Sequence, residues 1–124
     1  MTGDVWPGAP GCSLSATADL IARDPELVQR VVNAYVCAET FVHEAPDETA
    51  EIAAPYIGLH AETIRRALAV NRPDVDAIRS GEAMGKVLSL MQRLGYVDEI
   101  PHGFADLRFL DRAQAGVGAS ARRA

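Results

Sequence analysis

Residues 24–44 read DPELVQRVVNAYVCAETFVHE, and this stretch decides the fold class. Asp24 is a good helix N-cap, because its carboxylate can accept the free N–H groups of the first turn. Pro25 suits the first helical position, where its missing N–H costs nothing. Glu26 complements the positive end of the helix dipole. Leu27, Val31, Ala34, Ala38 and Phe41 recur at helical spacing, and Val28, Tyr35 and Val42 widen that stripe. Arg30, Asn33, Thr40 and Glu44 fall on the opposite side. The spacing predicts a helix from 25 to about 44 that buries the Leu27–Phe41 stripe and is ended by Pro46.

Working outward, the same punctuation repeats. Asp47 is placed to cap a second helix over 48–57, with Ala50, Ala53, Ala54 and Ile57 inward, Pro55 distorting its last turn and Gly58 closing it in the left-handed region. A third helix is expected over 61–70, carrying Ile64, Ala67 and Leu68, with Arg72-Pro73 as its stop. Asp74 opens a fourth over 75–94, with Ala77, Met84, Val87, Leu88, Met91 and Leu94 buried. Gly81 and Gly85 weaken its middle by roughly 1 kcal/mol each relative to alanine. A last short helix over 104–113 offers Leu107, Phe109 and Leu110. On the N-terminal side, 18–23 reads as a helical turn, 12–17 alternates weakly enough for one short strand, and 1–11 has loop composition. Residues 113–124, small and polar, read as a disordered tail. The expectation is a mainly α fold: four to five short helices in an irregular bundle within one domain over 1–112, with at most one short N-terminal strand.

Composition sets the outer limits. The chain has 124 residues, 48% of them apolar, but aromatics are only 6%, so the core must come from Ala, Val, Leu and Ile. A net charge of −5 argues against a nucleic-acid partner, which needs clustered positive charge. No apolar run approaches the roughly 18–20 residues of a membrane span. Two cysteines are too few for a disulfide scaffold or a four-cysteine zinc site; Cys12 and Cys37 read as two free thiols in a reducing compartment, or as a pair in an oxidising one. The N-terminus shows no basic stretch followed by an apolar segment, so the expected location is cytoplasmic, or periplasmic for a processed fragment.

Chemistry-bearing residues are sparse. Glu39 and His43, four apart, can meet as two metal ligands or a proton-transfer pair, or simply as a surface ion pair. No HExxH or CxxC spacing supplies further ligands, so no metal or other cofactor is expected. Glu39, Glu44, Asp47, Glu48 and Glu51 read as a solvated acidic corner, since a calcium loop needs a sharp Gly turn where Pro46 stands. His60 reads as a modest helix cap, and His102 has no visible partner. No nucleophile elbow or phosphate loop is present, and the chain is read as not an enzyme. Trp6, with Pro7, Pro10 and Cys12, is the most unusual cluster; a lone Trp in a Pro/Gly loop stacks on a ligand, anchors a partner or plugs its own core.

Five segments together resemble a known family. Pro10-Gly11-Cys12-Ser13-Leu14, Asp24-Pro25-Glu26-Leu27-Val28, Pro46-Asp47-Glu48-Thr49-Ala50, Tyr56-Ile57-Gly58-Leu59 and Leu94-Gly95-Tyr96 are similar, in order and spacing, to the C-terminal part of ABC-transporter solute-binding proteins. The branch is the nitrate, sulfonate, taurine and thiamine-precursor type, with its PELV helix, NPEEAAE helix, LGL turn and final LG segment. The resemblance spans roughly residues 5 to 112. It implies a non-enzymatic binder of a small anionic or heterocyclic solute, with Trp6, Cys12 and Ser13 near the cleft. The family fold is a two-lobed α/β clamp, and the N-terminal lobe, most of the second lobe and the secretion signal have no counterpart here. Helices that the family buries on a sheet then carry uncovered apolar faces. At about 25 cal/mol per Å2, a patch of several hundred Å2 is worth on the order of 10 kcal/mol if fully buried. A homodimer or a larger protein partner is therefore expected. The alternative readings are a helical adaptor that has lost solute binding, and a small metal-binding protein.

Overall fold

Each expected capping signal sits at or within two residues of a helix end in the computed structural model, which describes residues 11–71, 73–100 and 102–121, with side chains as far as Gly116. Among these residues lie six α-helices and one 3-10 helix, and no strand. Helix α1 is Ala18–Arg23, capped by Thr17, whose Oγ1 accepts from the Leu20 N–H at 3.1 Å. Helix α2 is Pro25–Glu44, with Asp24 Oδ1 accepting from the Leu27 N–H at 2.9 Å and Pro25 in the first turn. Helix α3 is Pro46–Ile57, α4 is Ala61–Val70, the 3-10 helix is Val75–Arg79, α5 is Gly81–Arg93 and α6 is Arg108–Ala121.

The fold is mainly α, as read, and the departures have local causes. Pro46 does not merely end α2; it begins α3, since a proline is tolerated where the N–H has no helical acceptor. Asp47 therefore lies inside the first turn and Ala45 takes the cap position without a side-chain bond. His60 holds the cap position of α4, but its imidazole does not cap; its backbone carbonyl accepts from Thr63 and Ile64 instead. The single helix expected over 75–94 is two elements. Asp74 caps the 3-10 turn, then Ser80 leaves helical geometry and its Oγ accepts from the Ala83 N–H at 3.2 Å. Gly81 then opens α5, where a glycine costs less than mid-helix. Residues 11–17 form no strand. The last helix starts later than expected and runs to Ala121, through the stretch read as a tail; Ala113 is among the most buried residues.

The core is thin and divided. Val36 of α2 packs with Leu110 and Ala113 of α6, and Val32, Val75, Ile78 and Leu107 close around them. Helices α3 and α4 form a hairpin-like pair, turned by Gly58 at φ 73° and centred on Ala50 and Ile64. Leu88 anchors α5, which leans mainly on the 3-10 helix. Among the described residues no large side chain is fully buried, as expected of a core poor in aromatics.

The largest departure is on α2. Most of the stripe expected to face inward is left open: Leu27 is 37% exposed, Val31 44%, Tyr35 49% and Phe41 38%, and Ala34 and Ala38 are exposed too, whereas Val28 and Val42 at its edge are buried and half-buried. The covered stripe is Val28, Gln29, Val32 and Val36, continuing to Glu39 and Thr40. At 100° per residue the two faces lie roughly 150° apart around the helix. Leu94, Ile57 and Ala67, also expected inside, are exposed.

Candidate functional site

The polar residues of α2 serve first to hold the covered face. Gln29, only 5% exposed, donates from Nε2 to Asn33 Oδ1 at 2.8 Å and to the Phe109 carbonyl at 3.0 Å, while its Oε1 has no partner. Glu39 Oε1 accepts from the Val75 N–H at 2.7 Å. His43 Nε2 lies 2.8 Å from the Pro73 carbonyl, and since a carbonyl only accepts, that nitrogen carries the proton. Glu39 and His43 do approach each other, at 3.9 Å. Both are engaged with the backbone of 73–75, so together they dock the start of the 3-10 helix on α2. Among the described residues no group of three or more His, Cys, Asp or Glu side chains is placed to hold a metal.

Two arginines tie elements together. Arg65 of α4 reaches Asp47 at 2.7 Å, Glu51 at 2.7 Å and Glu62 at 2.9 Å. Two members of the acidic corner, Asp47 and Glu51, thus serve to clamp α3 to α4. The Glu62 carboxylate does most to hold the Arg65 guanidinium protonated above its ordinary range, desolvation opposing it, and Glu51 and Asp47 adding to it. Arg79 of the 3-10 helix bonds Asp76 at 2.6 Å, Asp111 at 2.7 Å and Gln114 at 2.9 Å. Arg79, then Gln114, hold the Asp76 carboxyl below its usual range. Spacing exposes the i, i+3 pairs Glu62–Arg65 and Asp76–Arg79, but not the partners contributed by other helices.

Concave ground is scarce. One groove, lined by Val42, His43, Pro46, Asp47, Arg65, Leu68, Ala69 and Pro73, lies where α2, α3 and α4 meet. Another runs along the outer side of α5 past Gly81, Gly85 and Ser89, with a single helix as its wall. Cys12 and Ser13 are exposed, and neither lines these grooves. Trp6 lies outside the described residues. Cys12 and Cys37 are both free and exposed. The described surface also carries the open apolar face of α2.

That face lies within a recognisable segment. Residues 1–58 match the NMT1-like family. This is a family of the nitrate-, sulfonate- and taurine-binding ABC solute-binding type, generally non-enzymatic. The NMT1-like segment contains Trp6, Cys12, Ser13 and all of α1, α2 and α3, and ends on the left-handed Gly58. It is shorter than the resemblance read over 5–112; α4 to α6 lie beyond it. No curated protein and no solved structure matches the chain. No described helix is long and apolar enough to cross a membrane.

Proposed function

We propose that the chain is a non-enzymatic small-solute-binding or sensing module of the solute-binding-protein type, completed by a second protein chain. The observation that carries this reading is the NMT1-like match over residues 1–58, which takes in Trp6, Cys12 and Ser13. Those three residues are proposed to meet a small anionic or heterocyclic solute, the indole stacking on it and the thiol and hydroxyl contributing polar contacts. The proposed location is cytoplasmic, or periplasmic for a processed form.

Trp6 is the single tryptophan, so its fluorescence reports on its own surroundings. Titration with nitrate, a sulfonate, bicarbonate and a pyrimidine should change that emission and raise the melting temperature for at least one of them. At one hundred times Kd, binding adds about 2.7 kcal/mol. Trp6→Ala should abolish the thermal shift. If all four leave both signals unchanged, the solute reading fails.

A second reading is favoured by one observation, the open apolar stripe on α2: a helical adaptor that binds a larger protein and no solute. It predicts a stoichiometric partner in affinity capture from native lysate, lost on Val31→Glu.

A further inference from the structure

The open stripe of α2 has a regular order. Leu27, Val31, Ala34, Ala38 and Phe41 follow one another at intervals of 4, 3, 4 and 3, and all are exposed. This is the a/d spacing of a coiled-coil seam, which fits another helix better than a strand or a loop. We propose that the occupant is α2 of a second copy of this chain, running antiparallel. The inference rests on the reading above that a second chain covers this face, and it names that chain.

Three observations select a second copy. First, the seam is complementary to itself. Antiparallel coiled coils stack a positions on d positions. With Val31 set on the partner's Phe41, Ala34 falls on the partner's Ala38, and symmetry repeats both layers. Large residues meet at the ends and small ones in the middle, where the backbones can come close. Second, the charges agree. Arg30 and Glu44 flank the seam at the same heptad position and have no ion-pair partner among the described residues. In this register Arg30 of each copy stands beside Glu44 of the other. A parallel pair would instead bring two acidic ends together, Glu44 with Asp47 and Glu48. Third, the seam runs about 21 Å from Leu27 to Phe41. It offers on the order of 500 Å2 per copy, so a pair buries about 1,000 Å2, the lower edge of a specific interface. An interface of that size, with alanines at its centre, fits a reversible dimer rather than a permanent one. A lipid surface is disfavoured, since the chain carries a net charge of −5 and anionic headgroups would repel it.

The register centres the two-fold axis at residue 36, so the two Cys37 residues come close to each other beside it, on the flank that carries Arg30 and Glu44. The test uses the full chain in a Cys12→Ser background. Sedimentation across the micromolar range should show a concentration-dependent monomer–dimer equilibrium, and mild oxidation should trap a covalent dimer that Cys37→Ser abolishes. Arg30→Glu and Glu44→Arg should each weaken the dimer about tenfold, because each reversal disturbs both symmetric pairs, and the double reversal should restore it to within about threefold. Both are surface changes, and unchanged far-ultraviolet circular dichroism will confirm that the variants fold. A monomer at every concentration overturns the proposal. So does a dimer indifferent to both charge reversals, or one that Cys37 fails to cross-link. Solute titration is read separately: a dimer with no solute response leaves the pairing standing and sinks the solute reading, and a solute-binding monomer does the reverse.

Discussion

Gln29 is the residue on which the packing of α2 against α6 turns most sharply. Its amide nitrogen satisfies both Asn33 and the Phe109 carbonyl from a site that is 5% exposed. Gln29→Glu removes both donors and buries a charge, and should cost about 3 kcal/mol in urea denaturation at neutral pH. Asp76 makes a prediction about acid. Its folded-state pKa is depressed from the ordinary 3.8, so its contribution to stability is present above that value and is lost as pH falls through the lower folded one. The melting temperature of the wild type should exceed that of Asp76→Asn at pH 7, and the gap should close below about pH 4.

At the scale of elements, α2 separates two valines five residues apart. Val36 is 4% exposed and sits in the core against α6; Val31 is open. Val36→Ala should cost about 2 kcal/mol, from lost transfer energy and the cavity left behind. Val31→Ala should change stability of the dilute protein by less than about 0.5 kcal/mol. Equal costs for the two would mean that the covered face has been assigned to the wrong side. The α3–α4 pair makes a different prediction. Arg65→Met should lower the melting temperature, and the difference should shrink in about 1 M salt, because the three carboxylates that it meets are largely exposed and screened. Much of this level was legible in the chain. Asp24, Pro25, Gly58, Pro73 and Gly95 are local signals, and the elements start or stop within a few residues of them. Ser80 is not legible as a cap, because Gly81 and Gly85 read as weak points inside one helix, whereas Gly81 opens a new one.

At the scale of the whole molecule, the last helix closes the fold. Leu110 and Ala113 complete the cluster around Val36, and Asp111 and Gln114 bond Arg79 from the far end of the chain. A chain ending at residue 106 should lose its cooperative thermal transition, whereas a detachable tail beginning at 113 predicts no contribution from those residues. Composition hides this, because a run of Ala, Gly and Ser has weak periodicity whether or not a neighbour covers it. The candidate solute residues stand differently: residue type and resemblance alone mark Trp6, Cys12 and Ser13, and the described helices do not enclose Cys12 and Ser13.

The amino-acid order by itself determined that this chain is helical and where most of its helices begin and end. These are properties of neighbours along the chain, set by caps, prolines and residue spacing. Which side of α2 faces inward was decided only in three dimensions. That helix carries two apolar stripes, and periodicity weighs them by hydrophobicity alone. The tertiary structure covers the less greasy one, because Gln29 and Glu39 find the Phe109 carbonyl and the Val75 amide there, and those partners lie 80 and 36 residues away.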